Sequence, residues 1–220
     1  MLCMSNPSLT EEHLMSLLRN PHITQEIVQA VFDRFSKSYK IQAGIVNCKK
    51  APYTLSLRIL PSLFSSDLVR IAENYRLYPP LRRAAENYLK EKYTALTPGE
   101  KKTLARTAPR SLIGLLKTEK DPGVFTCLLR NPRLIEEDLT ALANNELTPV
   151  GILEALAMDK QWANRYQIRL ALVRNSRTPL RLSLSFLSRL QKPDLTTLIE
   201  SPRTPSLVSA AALRILTGDY

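Results

Sequence analysis

Glycine is scarce in this 220-residue chain, with six residues against fifteen prolines. A β-rich protein needs glycine in its hairpin turns, so that balance argues against sheet. It suits many short helices instead, because proline is welcome at the first helical position. No run of eighteen apolar residues occurs, so no membrane-spanning helix is expected. Met1 to Pro7 lacks a basic start followed by an apolar stretch, and no signal peptide is expected there. The three cysteines, Cys3, Cys48 and Cys127, are odd in number and far apart. They read as reduced thiols in a cytoplasm rather than a disulfide framework. The two histidines, His13 and His22, form no metal-ligand spacing with each other or with a cysteine. No glycine-rich phosphate loop follows a strand and no G-x-S-x-G elbow is present, so neither a cofactor nor a catalytic residue is expected.

What the chain does have is a core-forming hydrophobic fraction of 44% and a net charge of +11. Such a charge favours anionic partners. The chain also repeats itself. Residues 35–89 align with 162–216 at a constant offset of 127, without a gap. Sixteen of the 55 pairs are identical, among them Tyr39/Tyr166, Pro52/Pro179, Leu60/Leu187, Asp67/Asp194, Glu73/Glu200, Arg76/Arg203 and Leu89/Leu216. Chance would give about three or four on ordinary residue frequencies. Upstream, Asn6-Pro7-Ser8-Leu9-Thr10-Glu11-Glu12 resembles Asn131-Pro132-Arg133-Leu134-Ile135-Glu136-Glu137. Two copies, 6–89 and 131–216, joined by a helical connector 90–130, are therefore expected to form one body over 1–220.

Within each copy the apolar spacing is helical. Leu182, Leu184, Phe186, Leu187 and Leu190 step along one face, as do Leu207, Val208, Ala211, Ala212, Ile215 and Leu216. Thr-Pro precedes apolar stretches at Thr97-Pro98, Thr148-Pro149, Thr178-Pro179 and Thr204-Pro205. Threonine is expected to cap the free N–H groups there, with proline in the first turn. Asp67 and Asp194 are read the same way, as helix-opening caps. The expected fold is all-α: about fifteen short helices in a right-handed solenoid of antiparallel pairs. The segments Arg174-Asn175-Ser176-Arg177-Thr178-Pro179 and Ser201-Pro202-Arg203-Thr204-Pro205 carry a resemblance to the punctuation of bacterial leucine-rich-repeat variant proteins, within the wider HEAT/armadillo class. That resemblance implies a binding scaffold without catalytic residues.

The charge is concentrated. No acidic residue lies between Arg34 and Ser66, a window containing Lys37, Lys40, Lys49 and Lys50. None lies between Lys160 and Pro193, a window containing Arg165, Arg169, Arg174, Arg177 and Arg181. The two windows are equivalent in the duplication. Arginine grips phosphate bidentately, and Trp162 and Tyr166 sit among the arginines where they could stack a base. Their counterparts are Phe35 and Tyr39, and a repeated aromatic pair at helical spacing is more often core than site. Three functions follow as expectations. The first is a cytoplasmic, non-enzymatic adaptor for an acidic protein segment or a nucleotide-type ligand. The second is a DNA-binding protein, with Asp159, Trp162, Tyr166 and Arg169 set like the active groove of HEAT-like alkylpurine DNA glycosylases. The third is a cyclic-dinucleotide receptor.

Overall fold

The computed structural model describes residues 9–218; Cys3 and the Asn6-Pro7-Ser8 stretch lie outside them. The described residues form sixteen α-helices and one 3₁₀ turn, with no strand. They fall into two compact units, one ending at Glu100 and the other starting at Lys101. That boundary lies within the segment 90–130. No helix among the described residues is long and apolar enough to cross a membrane.

In the first unit the helices are α1 (Glu11–Leu18), α2 (Gln25–Phe35), α3 (Tyr39–Asn47), α4 (Tyr53–Ile59), α5 (Ser65–Glu73) and α6 (Pro79–Tyr93). Helix α7 (Pro98–Thr107) contains the boundary. The second unit holds α8 (Arg110–Leu116), α9 (Pro122–Leu128), α10 (Glu136–Asn144), α11 (Val150–Met158), α12 (Lys160–Ala163), α13 (Tyr166–Arg174), α14 (Leu180–Leu187), α15 (Lys192–Glu200) and α16 (Ser206–Thr217).

The 127-residue offset carries into these bounds. Adding it to α3 gives α13, and adding it to α5 gives α15, at both ends. Packing partners recur too: α3 on α4 matches α13 on α14, α4 on α6 matches α14 on α16, and α5 on α6 matches α15 on α16. Each unit has its own apolar core, with Leu14, Ile41, Ile45, Leu60, Leu68 and Leu89 fully buried in the first and Leu112, Phe125, Leu139, Leu156 and Ile168 in the second.

The Thr-Pro sites need a correction. Only Thr97 caps as expected: its Oγ accepts from the Glu100 N–H at 3.4 Å, and the Glu100 carboxylate accepts from the Thr97 N–H at 2.9 Å. At the other three sites proline itself is the N-cap, and the helix starts one residue later. Proline's fixed φ tolerates the extended cap conformation, with ψ between 129° and 142° at Pro149, Pro179 and Pro205. Threonine is thereby pushed outside the helix. Thr148 turns inward instead and donates to the Leu142 carbonyl at 2.7 Å, tying the new helix to the end of the previous one.

Asp67 and Asp194 are not caps either. Each is the third residue of its helix, behind Phe64 and Gln191 as N-caps. Asp67 accepts the Tyr39 hydroxyl proton and Asp194 that of Tyr166. The same hydroxyls accept from the Phe64 N–H at 3.0 Å and the Gln191 N–H at 3.1 Å. One tyrosine thus staples the start of α5 to α3, and its counterpart staples α15 to α13. Burial and the Asp67 bond push the Tyr39 phenol up to about 12, and Tyr166 rises for the same two reasons. A raised phenol stabilises the fold below its unfolded value, about 10. That contribution is lost as pH climbs towards 12. Tyr39→Phe and Tyr166→Phe are each expected to cost about 1.5–3 kcal/mol at neutral pH, the range for a hydrogen bond to a charged group. Tyr39→Phe should also flatten the alkaline fall in stability. Urea midpoints across that pH range read both effects.

Candidate functional site

The arginines of the second acid-free window are mostly engaged by the fold. Arg165 pairs with Glu136 at 2.9 Å and lies over the Trp162 ring at 4.7 Å. Arg169 donates to the carbonyls of Ala163, Asn164 and Arg189. Arg174 pairs with Asp194 at 3.2 Å, and Arg177 donates to the Glu146 carbonyl at 3.3 Å. Arg181 is exposed and forms no ion pair among the described residues.

Trp162 is 4% exposed, and its indole N–H donates to the Leu129 carbonyl at 2.9 Å. Tyr166 is the staple to Asp194 already described. Asp159 is buried, caps α12 through the N–H groups of Gln161 and Trp162, and pairs with Arg130 at 2.9 Å. The four residues compared with a glycosylase groove therefore face core, cap and staple contacts.

The first copy is different. Lys40, Lys49 and Lys50 come together on a cleft of about 940 Å³, while Lys37 is exposed and away from it. The cleft follows one face of α3 through Tyr39, Lys40, Ala43, Gly44 and Asn47, and reaches the ends of α1 and α5. Gly44 leaves the cleft its depth: a Cβ there would lie 2.7 Å from the Met15 sulfur. The loops after α1, α3 and α5 supply Arg19, Lys49 with Lys50, and Arg76. Arg70 completes six cations, and the single acid is Asp67. Asp67 is already committed, to Tyr39 and to Arg70 at 3.1 Å.

Among the described residues five of these cations have no acidic partner: Arg19, Lys40, Lys49, Lys50 and Arg76. A bland explanation is that they offset the negative ends of three helices. Each such end carries about half a negative charge. Three ends give roughly −1.5, well short of five positive charges. Nor do these side chains bond the helix-end carbonyls. Lys92 shows what such service looks like, donating to Pro61 and Leu63 at 2.7 and 2.8 Å. The cleft therefore holds a surplus of positive charge, in a space within the usual range of ligand sites.

A smaller cleft of about 310 Å³ occupies the equivalent place in the second unit, lined by Asn144, Glu146, Arg174, Asn175, Ser201 and Arg203 among others. Position by position its charge is diluted. Arg19 is matched by Asn144, Lys40 by Gln167, Lys49 by Ser176 and Arg70 by Thr197, while Lys50 and Arg76 are matched by Arg177 and Arg203. Arg174, new at the place of Asn47, is spent on Asp194.

The acid-free window pointed to Lys40, Lys49 and Lys50 but missed Arg19, Arg70 and Arg76, which lie outside it. A recurrent cation in the loop after α1, α3 and α5 was the signal available for Arg19 and Arg76. Compared with protein-family models, curated proteins and solved structures, the chain matches none of them.

Proposed function

We propose that this protein is a non-enzymatic binding module, and that the cleft of its first copy captures an anionic partner. Within each copy the helices are taken to stack as antiparallel pairs in the manner of HEAT repeats; recurrence of the same packing partners at the 127-residue offset supports this. The buried free thiols of Cys48 and Cys127 suit a reducing cytoplasm. One observation carries the functional reading: five unpaired cations surround a cleft whose single acid is already neutralised. The duplication sharpens it. Both copies hold the staple, but the second engages Arg165, Arg169, Arg174 and Arg177 within the fold, whereas the first leaves its cleft cations to solvent.

The test compares two charge-reversed proteins. Arg19→Glu, Lys49→Glu, Lys50→Glu and Arg76→Glu together remove the cleft's charge. Arg177→Glu with Arg181→Glu alters the second copy. Binding of labelled inorganic polyphosphate, followed by anisotropy, is expected to weaken more than tenfold in the first protein and little in the second. Charge pairs near a surface are worth about 1 kcal/mol or less each, so four reversals suffice for that loss. Equal losses in both proteins, or no loss in the first with helical circular dichroism intact, would show that the cleft is not the binding site.

A further inference from the structure

We propose that the ligand of this cleft is single-stranded nucleic acid, its phosphates held by the cleft cations and its bases stacked on tyrosines of the adjoining loops. The inference rests on the anion-binding reading above and adds the ligand's chemical class.

The first unit exposes three tyrosines beside the cleft. Tyr75 is 83% exposed, Tyr78 64% and Tyr53 41%. Tyr75 and Tyr78 belong to the loop that supplies Arg76, and Tyr53 opens α4 just after the loop that supplies Lys49 and Lys50. Tyr75 stands between Asn74 and Arg76, which both line the cleft, and Tyr78 is two residues further. Tyr53 follows Lys50 by three residues, no more than about 10 Å of extended chain. The rings of Tyr53 and Tyr78 meet edge to face with centroids 5.9 Å apart, joining the two loops.

Tyr75 is also held in place. The Arg82 guanidinium lies over its ring, 4.5 Å from the centroid, and is itself anchored to the Ala72 carbonyl at 3.2 Å. A ring braced on one face and open on the other is a preorganised stacking platform. Phe64, 64% exposed, is accounted for differently: its ring packs on Tyr39 at 4.5 Å.

The second copy has no such set. Leu180, Pro202 and Pro205 stand at the positions of Tyr53, Tyr75 and Tyr78. The rings and a surplus of uncommitted cations occur together in the first copy; the equivalent cleft of the second keeps one uncommitted cation, Arg203, and none of the rings. Folding does not require these tyrosines, since Leu180, Pro202 and Pro205 occupy the matching positions of α14 and the loop before α16.

Chemistry separates the possible anions. An acidic peptide would use the cations and gain little from three solvated rings. A duplex hides its base faces. A single strand offers alternating phosphates and bases, and a cationic groove with aromatic platforms is the surface that recognises both. A mononucleotide shares that chemistry but spans only one phosphate–base step.

The experiment uses the full chain and a fluorescein-labelled oligothymidine of about fifteen nucleotides, the upper end of site sizes for such surfaces. Unlabelled thymidine monophosphate, polyglutamate and inorganic polyphosphate compete. The oligonucleotide is expected to bind with a log–log salt slope of about −2 to −4, for three to five phosphate contacts. Tyr75→Leu with Tyr78→Leu should weaken it about tenfold or more and leave polyphosphate affinity unchanged. Tyr75→Phe with Tyr78→Phe should restore most of the loss, since stacking needs the ring and not the hydroxyl. If the leucine variant binds the oligonucleotide as well as the parent, or the phenylalanine variant loses as much, base stacking is wrong while anion capture stands. If polyglutamate competes as well as the oligonucleotide, the partner is an acidic protein. Competition by thymidine monophosphate at equal strength makes the ligand a free nucleotide. If none of the four polyanions or nucleotides binds, the anion-binding reading itself fails.

Discussion

Replacing Trp162 by alanine is expected to cost the second unit about 4 kcal/mol. The side chain is almost wholly buried, and truncating a buried tryptophan or phenylalanine removes roughly 3–5 kcal/mol in transfer and cavity terms. The indole N–H is also the partner of the Leu129 carbonyl. Losing a neutral hydrogen bond of this kind adds about 1 kcal/mol, offset where water enters the cavity. Trp162→Phe keeps most of the volume and strands only the carbonyl, so its cost should be near 1–2 kcal/mol. Urea titration followed by circular dichroism separates the two. The same pair tests whether Trp162 touches ligand. Because it is the chain's sole tryptophan, a stacking role would weaken oligonucleotide binding far more in Trp162→Ala than in Trp162→Phe, at conditions where both are folded. Packing alone predicts unchanged affinity.

The core role of Trp162 was open in the sequence for a physical reason. Aromatic and cationic residues at i, i+3 and i+4 describe a helix face, and one helix presents faces to both core and solvent. Arg165 beside Trp162 looks like a base-stacking set. In space the arginine covers a ring whose other side is packed. The helical nature of the chain was legible because it depends on local spacing. The 127-residue offset was legible because it needs only identity, and it carries through to the ends of α3, α5, α13 and α15. Helix starts were less so. Thr148-Pro149 satisfies every local rule for a threonine cap, yet the Leu142 carbonyl six residues back competes for the same hydroxyl and takes it.

The site was legible only in part. Charge density can be counted along a chain, but charge commitment cannot. Arg165 finds Glu136 across 29 residues and Arg174 finds Asp194 across 20. The acid-free windows therefore hid the acids that neutralise their own cations. Lys40, Lys49 and Lys50 face no such partner. Arg19 and Arg76 join them through loops of neighbouring helices, a relation visible in the sequence only as a cation recurring after α1, α3 and α5. Tyr53, Tyr75 and Tyr78 gave no signal, because an exposed tyrosine has the same pattern as one at the edge of a core.

Asp138→Ala is expected to cost the second unit about 3 kcal/mol and much of its resistance to acid. Asp138 holds two cations: Arg110, in a bidentate contact, and Lys117 at 2.9 Å. Its carboxylate also accepts from the Ile135 N–H at 3.3 Å, completing the first turn of α10. Its side chain is 7% exposed, and removing one partner of a buried pair typically costs 3–5 kcal/mol. The lower end applies because Arg110, 51% exposed, and Lys117, 26% exposed, regain water when released. Burial pushes the Asp138 pKa up, but the bonds from Arg110 and Lys117 outweigh it and hold the group below the usual carboxylate value. A depressed carboxylate contributes stability above its unfolded pKa, near 3.9, and loses it as pH falls through the lower folded value. The parent should therefore lose stability steeply below about pH 4. Asp138→Ala should start lower and fall less across that window. Asp138→Asn, which keeps an acceptor for Ile135 but no charge for Arg110 and Lys117, should lie between them at neutral pH. Thermal midpoints measured at neutral pH and near pH 3 decide it. At neutral pH, Asp138→Ala is expected roughly 10 °C below the parent. A gap that does not narrow in acid would mean that Asp138 acts by packing and capping, with its charge idle.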